Sequence, residues 1–298
     1  MLEKIILHII LNSIKKRINC YIAITRNNKP IGWLLLFIPC LYGIISSSIY
    51  SGKIIQLEII VLFLLGSILM RSAGCIFNDI VDRKIDARVE RTKNRPLANK
   101  TMSLFEASLL LLVLLFFSLC ILISLNTITI IIGLTSIILV VTYPFMKRIT
   151  HWPQLFLGIT FNWGIIMGWT SISESLSPVI FLIYLSSIFW TLGYDTVYGY
   201  QDIVDDKIIG IKSTAVLFEK NPKVAIYTFY IISFLLMFMA MIWIGVGYKS
   251  FLVYLCAVML GIVLLGKLNL REVKSCARFF LANKYVGFLV VLALALSI

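Results

Sequence analysis

Nine stretches of the chain stay apolar for long enough to cross a bilayer, which takes roughly 17–25 residues of helix. They run over 31–50, 57–78, 103–123, 127–146, 152–171, 177–199, 224–246, 250–267 and 279–297. Charged residues gather between these runs, although Glu174, Pro178 and several serines interrupt the fifth and sixth. The pattern predicts an all-α polytopic membrane protein with nine transmembrane helices. Ahead of the first run, Lys15, Lys16 and Arg17 follow an apolar stretch where a signal peptide would carry a small-residue cleavage site. Residues 1–28 are therefore expected to form an interfacial amphipathic segment, leaving 29–298 as a single membrane-embedded domain.

Basic residues test the helix count, because a wrong count would scramble their alternation between loops. The N-terminal segment has Lys4, Lys15, Lys16, Arg17, Arg26 and Lys29, and the second loop has Arg83, Lys84, Arg88, Arg91, Lys93, Arg95 and Lys100. The fourth loop has Lys147 and Arg148, the sixth Lys207, Lys212, Lys220 and Lys223, and the eighth Lys267, Arg271, Lys274 and Arg278. The opposite side offers only Lys53 and Lys249. This split predicts a cytoplasmic N-terminus and an outside C-terminus. It also accounts for the net charge of +13 without nucleic acid as a partner.

Composition agrees: hydrophobic residues make up 60% and charged residues 14%, against roughly 45–50% and about 25% in soluble domains. A soluble globule, a disordered chain, collagen and a coiled coil are all excluded. Six cysteines without CxxC spacing read as buried thiols, and two distant histidines are too few for a His-based metal site. No P-loop or GxGxxG is present. Gly164 and Gly168 form a small-xxx-small step, expected to mark close helix packing within the bundle.

The chemistry lies in the aspartates. All of them fall into two groups, Asp79, Asp82 and Asp86, and Asp195, Asp202, Asp205 and Asp206, each ending a span on the same side. The glutamates scatter. Asn78, Asp82 and Asp86 stand at i, i+4 and i+8, which places an amide and two carboxylates on one helical face, and Asp202 and Asp206 repeat the i, i+4 step. Like charges so arranged call for a cation between them, and an oxygen-only ligand set selects Mg²⁺ or Ca²⁺ over zinc. Two acidic helix ends facing each other would clamp a diphosphate through metal ions. Arg91, Lys93, Arg95, Lys207 and Lys212 follow the two groups and add donors for an anion, although positive-inside topology explains any one of them equally well. Arg71 sits inside the second span, where an unpaired guanidinium is costly, so it should face a cavity or snorkel to its edge.

The stretch from Asn78 to Asp86, running on through Arg91-Thr92-Lys93-Asn94-Arg95-Pro96-Leu97, resembles the first aspartate-rich motif of the UbiA-type intramembrane prenyltransferases. Tyr194-Asp195-Thr196-Val197-Tyr198, through Asp202 to Asp206 and on to Gly210-Ile211-Lys212-Ser213-Thr214-Ala215, is similar to the second motif. Lys29-Pro30-Ile31-Gly32 and Tyr143-Pro144-Phe145-Met146-Lys147-Arg148 resemble the ubiquinone-pathway branch. The resemblance covers residue 26 to the C-terminus. It implies nine transmembrane helices, a bacterial inner-membrane location, and Mg²⁺-dependent transfer of a polyprenyl chain from its diphosphate to the ring of 4-hydroxybenzoate, with no obligate protein partner. By position it assigns metal binding to Asn78, Asp82, Asp86, Asp202 and Asp206. Asp79, Asp195 and Asp205 lie within the motifs without a fixed role. Arg148, or alternatively Lys147, is expected to meet the acceptor carboxylate. Tyr194, Tyr198 and Trp163 are candidates to stabilise an allylic cation. Two other readings remain at this point: a haem, menaquinone or chlorophyll-branch acceptor, and a cation-coupled transporter, which should place acids at mid-membrane and on both sides.

Overall fold

In hydrocarbon a segment must satisfy its own backbone N–H and C=O groups, and the α-helix does so within one segment. The computed structural model describes the backbone of all 298 residues and the side chains of all except residues 2–10, 12 and 13. Among the described residues the secondary structure is entirely helical. The elements are α1 (Leu2–Thr25), α2 (Ile31–Ser51), α3 (Leu57–Asp86), α4 (Leu104–Ile123), α5 (Thr127–Ile149) and α6 (Pro153–Ser173), followed by α7 (Val179–Gly199), α8 (Ile203–Ile209), α9 (Thr214–Leu217), α10 (Pro222–Ile244), α11 (Tyr248–Gly266) and α12 (Val273–Ala295). Among the described residues nine helices, α2 to α7 and α10 to α12, are long and apolar enough to span a membrane, as expected.

The ends follow local chemistry. Ser103 and Asn126 accept N–H bonds from Glu106 and Thr129 at the starts of α4 and α5, and prolines open α6 and α10, where the missing N–H is no loss. Two ends depart from the apolar runs. α3 continues past residue 78 to Asp86, and α12 begins at Val273 rather than 279. In both cases the added turns carry charges at the rim of the bundle.

Each span packs on the next in the chain, and α12 packs back on α2, closing a ring; α2–α6 and α7–α12 contacts tie it across. α2 and α7 are the most buried, whereas α4 buries only Ala107 and Ser118. The α2–α6 crossing depends on glycine. A methyl placed on Gly43 would lie 2.0 Å from the Ile165 carbonyl oxygen, and one on Gly168 would lie 2.4 Å from that of Cys40. The Gly164 and Gly168 step therefore marks packing within the bundle. The cysteines correct one expectation. All are free, but only Cys40, Cys75 and Cys276 are buried; Cys20 is half-buried, and Cys120 and Cys256 are exposed on the outer faces of α4 and α11, where a thiol serves as a small apolar group.

α1 docks on α3 through Ile24, which joins Ile76, Leu97, Met102 and Ala107 in a small second core. Leu11, Ile14, Ile18 and Ile22 lie exposed along its other side, at helical spacing.

Candidate active site

The alternation of spans brings the end of α3, the end of α5, the end of α7 and the α8–α9 segment to one end of the bundle. Because α3 stays helical to Asp86, its carboxylates descend one face, and Asp79, Asp82 and Asp86 are buried at 1%, 0% and 5% exposure. Three buried carboxylates cost several kcal/mol each unless paired, and each has basic partners. Lys147 Nζ stands 2.5 Å from Asp82 Oδ2, and Arg148 Nη2 stands 3.1 Å from Asp82 Oδ1. Arg148 also donates to the Val81 carbonyl at 3.0 Å. Arg95 reaches Asp86 at 2.8 Å and Asp79 at 3.1 Å, and Arg26 reaches Asp79 at 2.7 Å.

The second motif is joined to the first. Arg91 grips Asp202 with Nε at 2.7 Å and Nη2 at 2.5 Å, while its Nη1 donates to the Tyr198 hydroxyl at 2.9 Å. The Glu90 backbone N–H donates to Asp205 at 3.2 Å. The α8–α9 segment is fixed from the other side, with Lys212 N–H donating to the Lys147 carbonyl and its Nζ to that of Ile149. Thr214 N–H donates to Gln154, and the Thr196 and Thr214 hydroxyls pair at 2.7 Å. Two motifs more than a hundred residues apart are thus linked at one end of the bundle.

Among the described residues, the side chains of Asn78, Asp195 and Asp206 have no hydrogen-bonding or ionic partner. Burial, with the negative charge of Asp202 added, pushes the Asp206 carboxyl up to about 7. Arg71 is also unpaired: its guanidinium lies over the Phe161 ring at 5.2 Å and its buried Nε has no acceptor. Gly32 makes room for it, since a methyl there would stand 2.6 Å from Nε. Tyr198 packs on Phe280 at 4.4 Å with Arg91 over its face at 5.1 Å. Tyr194 is buried between Trp190 and Phe280. The Trp163 indole is fixed by the Ile132 carbonyl. Lys93 pairs with exposed Glu90 rather than with an aspartate of the motifs.

The candidate ligands are all oxygen donors. Among the described residues no three acidic, histidine or cysteine side chains converge closely enough to hold a metal by themselves. A metal bound there would need water and substrate phosphate to complete its shell, as Mg²⁺ usually does. The protein's own cations meanwhile neutralise the carboxylates. Arg26 is the residue that sequence reasoning passed over, counting it only as a topological charge. Its place three residues before Lys29-Pro30-Ile31-Gly32 was the available signal.

The sequence profile of the UbiA prenyltransferase family matches residues 36–292. This chain belongs to that family. Among relatives in it, the mitochondrial 4-hydroxybenzoate polyprenyltransferase of Rattus norvegicus is 39% identical over 293 residues, covering 97% of this chain and 77% of that protein. The 4-hydroxybenzoate octaprenyltransferase of Yersinia pseudotuberculosis is 40% identical over 278 residues, covering 93% and 95%. Among solved structures, an apo UbiA homologue from Aeropyrum pernix K1 superposes with a TM-score of 0.75 at 24% identity, covering 87% of this chain and 96% of that one. A UbiA homologue from Archaeoglobus fulgidus bound to GPP and Mg²⁺ gives 0.66 at 19% identity, covering 91% and 99%. These likenesses establish the UbiA fold, and with its nine apolar helices the chain is an integral membrane protein.

Proposed function

We propose that the chain is a 4-hydroxybenzoate polyprenyltransferase of ubiquinone biosynthesis, moving a polyprenyl group from its diphosphate to the ring carbon ortho to the hydroxyl. The observation that carries this reading is the meeting of both aspartate motifs at one end of the bundle, clasped by Arg91 on Asp202. The names of the relatives support the acceptor, and the GPP and Mg²⁺ held by a homologue support the donor and the metal. Asn78, Asp82, Asp86, Asp202 and Asp206 would hold Mg²⁺, which when bound neutralises the diphosphate as it leaves. Arg91, Arg95 and Lys147, released from their carboxylates, donate to the same oxygens as charge grows on them. Lys212 secures the α8–α9 segment, and the Tyr198 ring, with Arg91 over its face and Phe280 packed on it, holds Arg91 in place beside this cluster. Arg148, on the rim beside Asp82, holds the acceptor carboxylate. The split of basic loops supports a cytoplasmic N-terminus and site and an outside C-terminus, the bacterial relatives support an inner membrane, and α1 lies in the interface with its end docked on α3.

The test is prenyl transfer by membranes containing the protein, given radiolabelled 4-hydroxybenzoate and a polyprenyl diphosphate, with and without Mg²⁺. Product should form only with the metal. Arg148→Ala should raise the KM for 4-hydroxybenzoate by about 10-fold or more, the effect of losing one charged hydrogen bond, with the KM for the diphosphate little changed. Transfer to a different acceptor alone would overturn the assignment, and an unchanged acceptor KM would move the carboxylate to Arg71 or Lys147.

A further inference from the structure

Arg26 ends α1 with φ 57° and ψ 24°, a left-handed conformation that glycine or asparagine adopts with less strain. An arginine there is explained by its side chain. Nη2 makes an ion pair of 2.7 Å with Asp79 Oδ1, and Nη1 donates to the Ile24 carbonyl at 2.9 Å, so the guanidinium is fixed at both edges. Asp79 is buried at 1% exposure and its Oδ2 has no hydrogen-bond partner. Its other cation is Arg95, whose Nη1 is shared between Asp79 at 3.1 Å and Asp86 at 2.8 Å. Four residues therefore form one chain of charge, Arg26, Asp79, Arg95 and Asp86, with Arg26 at the end remote from the candidate metal ligand.

A buried carboxylate holds whatever cation can reach it, because an unpaired one is costly. With Arg26 in place Asp79 is neutralised from the α1 side, and Arg95 is free to leave when the diphosphate arrives. Without Arg26, Asp79 would claim Arg95 entirely. We propose that Arg26 is a positioning residue for the diphosphate site: by neutralising Asp79 it leaves Arg95 available to the diphosphate. Resting on the prenyltransferase reading, the proposal gives Asp79 a role and makes the N-terminal helix part of the site.

The experiment uses the full-length protein in detergent and two readouts: Mg²⁺-dependent binding of inorganic pyrophosphate by calorimetry, and KM values for the polyprenyl diphosphate and for 4-hydroxybenzoate. Arg26→Gln should weaken pyrophosphate binding and raise the diphosphate KM by about 10-fold, the effect of withdrawing one charge-assisted hydrogen bond, while the 4-hydroxybenzoate KM stays within about 2-fold. Arg26→Lys should lie between. The double variant Arg26→Gln/Asp79→Asn should recover to within about 3-fold of the unaltered protein, because nothing then holds Arg95 back. A double variant as weak as Arg26→Gln alone, or an effect confined to the acceptor KM, would overturn the proposal. If Arg26→Gln fails to fold, Asp79→Asn serves as the background, in which removing Arg26 should change neither readout; a further loss there counts against it equally. Pyrophosphate binding by a protein that does not prenylate 4-hydroxybenzoate would sink the acceptor assignment while leaving this inference open to judgement by the binding data.

Discussion

Asp206 shows what a single residue contributes at a site built from opposed charges. Burial and the neighbouring Asp202 carboxylate push it up to about 7, so below that pH it is neutral in the absence of metal and above it is charged. A divalent cation binds the charged form and must displace the proton. The Mg²⁺ concentration for half-maximal prenyl transfer should therefore fall as pH rises, by about 10-fold between pH 6 and pH 8 for a ligand titrating near 7. A magnesium titration of activity at pH 6, 7 and 8 measures this, and a requirement that stays flat would remove Asp206 from the ligand set. None of this is visible from the residue types. The i, i+4 spacing of Asp202 and Asp206 suggests a cation between them, but the structure pairs Asp202 with Arg91 and leaves Asp206 unpartnered, a distinction that only tertiary contacts create.

At the scale of the element, apolar length located the nine spans because the bilayer imposes one dimension on all of them. It misjudged ends where charge and helix coincide. α3 reaches Asp86 because Arg26, Arg95, Lys147 and Arg148 neutralise its last turns, and those partners come from other segments. α12 starts early because Lys274 and Arg278 can reach water from the rim. The small-xxx-small step was legible as close packing, but its partner Gly43 was not, since one glycine in an apolar run has no pattern. Gly43→Ala should separate α2 from α6, because the added methyl meets backbone at 2.0 Å rather than a side chain able to turn away. Overpacking of this kind costs about 1–3 kcal/mol, and thermal unfolding in detergent should show a lowered Tm. Gly66→Ala is the control: its nearest neighbour would be Ile121 Cγ2 at 3.8 Å, an ordinary contact, and its Tm should hold. Equal melting of the two variants would mean that the α2–α6 approach is not what stabilises the bundle.

For the whole molecule, the two aspartate motifs are joined by a few polar links at one end of the helix ring. That both motifs lie on one side was legible from the count of spans, since an even number of crossings between them returns the chain to the same face. That they touch was not, because Arg91 on Asp202, the Glu90 N–H on Asp205 and Lys212 on the end of α5 depend on how the ring closes. Touching has an energetic consequence. If Asp82 and Asp206 hold metal on the same diphosphate, each contributes only when the other is present. Asp82→Asn or Asp206→Asn alone should abolish most prenyl transfer by deleting one negative ligand while keeping side-chain shape. Asp82→Asn also leaves Lys147 and Arg148 without their carboxylate, so its folding must be checked by thermal melting before its activity is interpreted. With both variants folded, the double variant should be scarcely worse than the poorer single one, because residues that act as a unit are strongly non-additive. Two independent cation sites, as a transporter would have, would instead multiply the losses, and that result in folded protein would refute the shared diphosphate clamp.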